Sequence, residues 1–271
     1  MTVVDLWVNA LSGKAAAAFM GQAGNEGIPE LLGGDLSSSS TLQHLLVTMD
    51  KCGVDVGVIA AGIASEETNQ LLQDVAAHPN RLRVALTVDR AERPVQQVTR
   101  LRALAAHPAV VLVRITPLVE QYPLNDKLYY PVYATCAELG LPVSINVGVP
   151  GPRVRSACQR PELLEDVLID FKGLTVIGAH MGHPYEALLM QYMLKWPDLY
   201  LSNSAYLAKY MDPTLVSFMD SSRGRGRVLF ASDHPFLPME RAVAAARDLP
   251  LADAAAQAYL GGTATRLLHL D

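Results

Sequence analysis

Residues Thr175 to Tyr185 read TVIGAHMGHPY. Val176 to Ala179 are apolar or small, as in a strand buried on both faces, and they lead directly into His180. His183 falls where a helix cap belongs, and Pro184 suits a first helical position, because its missing N–H would be unpaired there. The stretch therefore reads as strand, turn and helix, with His180 at the carboxyl end of a strand. That is where α/β folds place their chemistry.

Working outward, similar apolar runs recur at Val3–Val8, Val56–Ala61, Arg83–Val88, Val110–Ile115, Pro142–Val147, Leu174–Ala179, Leu199–Ser202 and Arg227–Ser232. Between them lie segments with helical spacing. Tyr185, Leu188, Leu189, Tyr192, Met193 and Trp196 follow the i, i+3, i+4 rule, as do Leu128, Val132, Cys136 and Leu139 before the fifth run. After the first unit the runs start roughly 25 to 32 residues apart, the spacing of parallel strands joined by crossover helices. The pattern predicts an α/β fold, a (β/α)8 TIM barrel, with residues 1–271 forming one domain.

The first interval is longer. Ala10 to Ser40, rich in Gly, Ser and Ala and ending in DLSSSS, precedes a helix expected at Thr41–Cys52. It is expected to be a lid insertion over the barrel mouth, or else a surface excursion. A second irregular stretch, Gly148–Arg160, brings Arg153 and Arg155 near the same face, and Leu251–Leu270 reads as one or two closing helices.

Half of the residues are hydrophobic and 18% are charged, enough to bury a large core. A net charge of −5 without a basic run argues against nucleic acid or an anionic membrane as partner, which leaves a small-molecule substrate. Cys52, Cys136 and Cys158 match neither a zinc knuckle nor a redox pair, so reduced thiols and a cytoplasmic location are expected. No apolar run is long enough to span a membrane.

Strand ends carry the candidate chemistry. Asp5, Trp7 and Asn9 alternate along the first strand and should share a face. Arg114 ends the fourth strand, Asn146 the fifth and His180 the sixth, while Asp233 follows the eighth in LFASDHP. Each has a plainer alternative. Asp233 also fits a loop or cap residue, His180 a structural imidazole and Trp7 simple core. Buried Arg114 needs a counter-charge, either a substrate carboxylate or phosphate, or else Asp89 or Glu120. Asn146 and Asn203 bind a ligand or tie loops together, and His183 and His234 are further contact candidates.

VVDLWVN, ELGLPVSINVGVPGPR, LTVIGAHMGHPYEALL, LKWPDLYLSNSAY, GRVLFASDHPF and GTATRLLHL, in this order, resemble the amidohydrolase superfamily. The resemblance is to its amidohydrolase-related branch, which includes 2-amino-3-carboxymuconate-semialdehyde decarboxylase. It implies a (β/α)8 barrel, commonly a homodimer. Metal-binding members carry Asp-x-His-x-His on strand one, a histidine ending strand five, another after strand six and an aspartate after strand eight. Here Asp5, His180 and Asp233 match, whereas Trp7, Asn9 and Asn146 replace three histidines.

A catalytic zinc takes three protein ligands plus water, and indole offers no lone pair. The expectation is therefore no metal cofactor and a hydrolase or lyase using Asp233 as general base and His180 as proton donor. Its substrate would be a small cyclic or aromatic carbonyl or carboxylate compound between Trp7 and Tyr206, with Asn9, Arg114, Asn146, His183 and His234 as further binding residues. Two alternatives stand beside it: a zinc-dependent hydrolase or decarboxylase with a rearranged ligand set, and a catalytically silent ligand-binding protein.

Overall fold

The computed structural model describes residues 1–9, 21, 24, 25, 28 and 41–270. Its strands are β1 (Val4–Val8), β2 (Val56–Gly62), β3 (Leu82–Thr87), β4 (Val110–Ile115), β5 (Val143–Asn146), β6 (Val176–Ala179), β7 (Leu199–Ser202) and β8 (Val228–Leu229). They pair in parallel and in sequence order. Each is followed by a helix: α1 (Leu42–Cys52), α2 (Thr68–Ala76), α3 (Pro94–Ala105), α4 (Tyr130–Leu139), α5 (Leu164–Asp170), α6 (Glu186–Lys195), α7 (Pro213–Asp220) and α8 (Met239–Arg247). The expected (β/α)8 barrel is the observed architecture.

Alternation along the strands sorts the core into two shells. One face of each strand, with Val113, Ile115, Val143 and Ile145, packs under the helices against Leu101, Val132, Leu189 and Val243. The other points inward, where Leu6, Trp7, Val58, Ala85, Leu112, Ile177, Tyr200 and Leu229 form a separate cluster. Each buried Leu, Val or Ile among them stabilises the fold by roughly 1.5–3 kcal/mol. Ala264, Leu267 and Leu268, from the closing helix Thr263–Leu267 and its end, join the inner cluster.

β8 is shorter than its apolar run, because Phe230 N–H donates to the Tyr259 carbonyl at 3.0 Å instead of extending the ladder. The barrel closes beyond it. Leu6 N–H donates to the Phe230 carbonyl at 3.2 Å, Asp233 N–H to Trp7 at 2.9 Å and Asn9 N–H to His234 at 2.8 Å.

The helix expected at Thr41–Cys52 is α1, with Thr41 as its cap, the hydroxyl accepting from His44 N–H at 3.1 Å. The helix after β6 starts later than expected, at Glu186. His180, Met181 and Gly182 all have φ near +60°, so the chain makes a tight turn, and Pro184 lies in that turn instead of opening the helix. Most of the expected lid, Ala10–Ser40, lies outside the described residues.

The turn after β6 is pressed against the loop after β5. Val149 N–H donates to the His183 carbonyl at 2.7 Å, and Gly148 has φ +93°. A Cβ at Gly148 would stand 2.4 Å from that carbonyl oxygen. Gly148→Ala is therefore expected to lower stability by about 2 kcal/mol or more, through both the clash and the left-handed backbone, as a shift of the urea midpoint.

Candidate functional site

The carboxyl ends of the strands enclose a cavity of about 490 Å³. Trp7, Asn9, Asn146, His180, Tyr206 and Asp233, all expected at a site, line it together. Arg114, His183 and His234 are not among the lining residues. Apolar side chains make up much of the remaining wall, including Leu118, Val119, Val149, Phe236 and Leu237.

Asp233 is buried, with φ +65°, a strained conformation for a side-chain-bearing residue. Its backbone is held on Trp7, and its Oδ1 accepts from Asn9 Nδ2 at 2.8 Å. Burial pushes its carboxyl up to about 7, with the Asn9 hydrogen bond and the Arg114 charge pulling the other way. Both charge states are thus populated near neutrality.

His180 is also strained, with φ +60°. Its Nδ1 lies 3.0 Å from the Ser204 carbonyl and 2.8 Å from the Ser204 hydroxyl, which can donate or accept, so Ser204 anchors the ring on its Nδ1 side. Burial lowers its pKa to about 4, so the ring is neutral at pH 7.

Arg114 is fully buried. Its Nη2 donates to the Leu6 and Val58 carbonyls, both at 3.0 Å, and its guanidinium lies 3.9 Å from the centroid of Trp7. Trp7 thus separates this cation from the cavity, and its other neighbour is His180, ring to ring at 5.1 Å. Neither Asp89 nor Glu120 pairs with Arg114. Asp89 accepts from Ala64 N–H at 2.9 Å and Glu120 from Ala91 N–H at 3.0 Å, while Asp233 and Asp5 are the carboxylates that act on the guanidinium.

Asp5 does not share the cavity face with Trp7 and Asn9. The register slips between Asp5 and Val8, so alternation fails there. Its Oδ1 accepts from Ser232 N–H at 2.8 Å and from Trp7 N–H at 3.2 Å, which ties β1 to the residue before Asp233.

His183 pairs with Glu186 at 2.7 Å and backs Tyr206, ring centroids 5.4 Å apart. His234 contributes through its backbone: its carbonyl accepts from Asn9, and its N–H donates to Ser232 Oγ at 2.9 Å. Asn203 ties loops together, its Nδ2 donating to the Tyr206 carbonyl at 2.9 Å and its Oδ1 accepting from Ala231 N–H at 3.1 Å. Arg153 N–H donates to Gly24 at 2.8 Å, and Arg155, like Arg153, is absent from the lining. Sequence reasoning missed Gln159 and Arg241, which do line the cavity.

A family model described as "Amidohydrolase" matches residues 35–270. No curated protein matches the chain. Among solved structures, an uncharacterized TIM-barrel protein from Bordetella bronchiseptica is similar, with TM-score 0.80 and 21% identity over 100% of this chain and 99% of that one. The 5-carboxyvanillate decarboxylase of Sphingomonas paucimobilis has TM-score 0.75 and 17% identity over 100% of this chain and 99% of its own. A dihydroxybenzoic acid decarboxylase from Polaromonas sp. JS666, with bound manganese and the inhibitor 2-nitroresorcinol, has TM-score 0.75 and 16% identity over 99% of this chain and 97% of its own. Identities this low establish the fold.

The donor set here does not fit a catalytic metal of the three-ligand kind. Of the described residues that line the cavity, His180 and Asp233 are the His, Cys, Asp or Glu side chains, Asn9 directs its amide N–H at Asp233, and Trp7 presents an indole stacked on a cation. Among the described residues no group of three His, Cys, Asp or Glu side chains could hold an ion.

Asp5 is a titrating brace. Burial raises its carboxyl to about 6, so its contribution to stability is full below about 4, the unfolded value, and is lost as pH rises through 6. Asp5→Asn keeps the accepting oxygen but cannot ionise. Its stability relative to the parent, from urea unfolding at pH 4 and pH 7.5, is expected to improve by about 2 kcal/mol at the higher pH.

Proposed function

The chain belongs to the amidohydrolase family, and from that premise we propose that it is a metal-independent hydrolase of a small cyclic or aromatic carbonyl compound. The observation that carries the reading is Asp233. It lies in the cavity with its carboxyl raised to about 7, fixed by Asn9 and beside a neutral His180. A base works best when its pKa is near the operating pH.

In this mechanism the substrate ring lies between Trp7 and Tyr206. Water donates a hydrogen bond to Asp233 and lies against the neutral ring of His180. Asp233 takes the proton as the water oxygen attacks the carbonyl carbon. Asn146 Nδ2 donates to the developing oxyanion, where a neutral donor in a water-poor site is strongly stabilising. As the C–O bond breaks, Asp233 returns its proton to the leaving oxygen, and every atom of water is accounted for.

Hydrolysis fits this floor better than decarboxylation. Losing carbon dioxide leaves an electron pair that needs a nearby electrophile, and the cation closest to the floor, Arg114, is covered by Trp7. The decarboxylases that share the fold include one described with bound manganese. Among the described residues no helix is long and apolar enough to cross a membrane.

The test is turnover on a panel of cyclic esters and aromatic carboxylates. With a substrate in hand, kcat/KM should be flat above pH 7 and fall about tenfold per unit below it, as Asp233 becomes protonated. Asp233→Asn should cost about 100-fold or more. Unchanged turnover in that variant, or loss on chelation with recovery on adding manganese or zinc, would overturn the reading.

A further inference from the structure

Charge is unevenly distributed along the cavity. The floor offers Asp233, an acid, and His180, a neutral ring. Arg114 lies beneath but is screened from any ligand by the indole stacked on it at 3.9 Å. Its Nη2 is engaged by two carbonyls, while Nε and Nη1 are buried without a hydrogen-bond partner, and none of them lines the cavity. A ligand carboxylate placed on this floor would face Asp233 in surroundings of low dielectric, with no cation to touch.

The wall nearer solvent is different. Arg241, in the first turn of α8, is exposed and lines the same cavity. No salt bridge among the described residues engages it. Tyr210 lines the cavity too, and Lys209 Nζ stands 4.9 Å from its ring centroid, adding a second cation near the rim. On a chain of net charge −5 these cations make the mouth locally attractive to anions. A planar guanidinium is suited to grip a carboxylate through two parallel hydrogen bonds.

We infer that the substrate carries a carboxylate on the far side of its ring from the reacting carbonyl, and that Arg241 anchors it at the mouth. The carboxylate is then a handle, not the group that leaves. This orientation rests on the hydrolytic reading above and adds to it which end of a cyclic carbonyl acid faces the floor, and a specificity-determining residue. The anchor sets which end of the ring goes in first, and the apolar band of Phe236 and Leu237 covers the ring between the two ends.

The experiment uses 4-bromobenzoate as probe, with its uncharged amide as control, by calorimetry at pH 8. Arg241→Met should weaken 4-bromobenzoate about tenfold, the value of one charge-assisted contact. Arg241→Lys should weaken it less, and neither should alter binding of 4-bromobenzamide. Asp233→Asn should leave 4-bromobenzoate affinity nearly unchanged, and anomalous scattering should place the bromine on the floor beside His180.

The orientation is overturned if Arg241→Met binds like the parent, if Asp233→Asn tightens 4-bromobenzoate about tenfold by removing a repelling charge, or if bromine lies at the mouth. Absence of saturable 4-bromobenzoate binding at millimolar concentration overturns it too. Failure of the hydrolytic reading looks different. Chelation would abolish turnover while the effect of Arg241→Met on probe binding stood.

Discussion

The structure depends on how β1 meets the chain after β8. An eight-stranded parallel barrel must join its last strand to its first, and here the ladder of β8 ends at Leu229, before the seam is complete. Closure passes to Phe230–His234, whose backbone alternates with that of Leu6, Trp7 and Asn9. Asp5 strengthens the seam by accepting from both sides, from Trp7 N–H and from Ser232 N–H. The same hydrogen bonds that shut the barrel hold Asp233 in its left-handed conformation and aim Asn9 at its carboxylate. Fold closure and site geometry are therefore a single constraint, and loosening the seam would blunt both.

That constraint explains why polar groups are tolerated inside the barrel. Two acids and one guanidinium lie at zero or near-zero exposure around the seam. Taken singly, each would be expensive to desolvate. Together they moderate one another: burial lifts both carboxyls, and the Arg114 charge restrains the rise. The outcome for Asp233 is a carboxyl that titrates near neutrality, which an isolated buried aspartate or an exposed one would not show.

The strands were readable because parallel strands buried on both faces leave continuous apolar runs, and Val110–Ile115 and Leu199–Ser202 have the expected bounds. The strand-end rule likewise brought Trp7, Asn9, Asn146, His180 and Asp233 to one cavity. What escaped was of another kind. The slip in β1 breaks the alternation that would have paired Asp5 with Trp7, and no local pattern announces it. The anchoring of the His180 ring depends on Ser204, 24 residues away in sequence. Arg241 sits in a helix whose sequence is ordinary, and its approach to the mouth is a property of how α8 packs. Pro184 carried a true signal of a chain break, but the positive φ angles before it placed that break in a turn.

The position of Trp7 shows how one side chain can set both the shape and the charge of the floor. An indole offers two faces. One is occupied by the Arg114 guanidinium, an attraction worth about 2 kcal/mol when desolvated. The ring is also flanked by His180, tilted 55° to it at 5.1 Å. Held by both neighbours, the ring has little freedom to turn aside. Arg114 consequently acts on the site through its field and not by contact, keeping Asp233 ionisable while remaining out of reach of any ligand. A residue of different shape at position 7 would alter the cavity wall and also uncover a charge, turning a floor suited to an uncharged carbonyl into one that attracts anions.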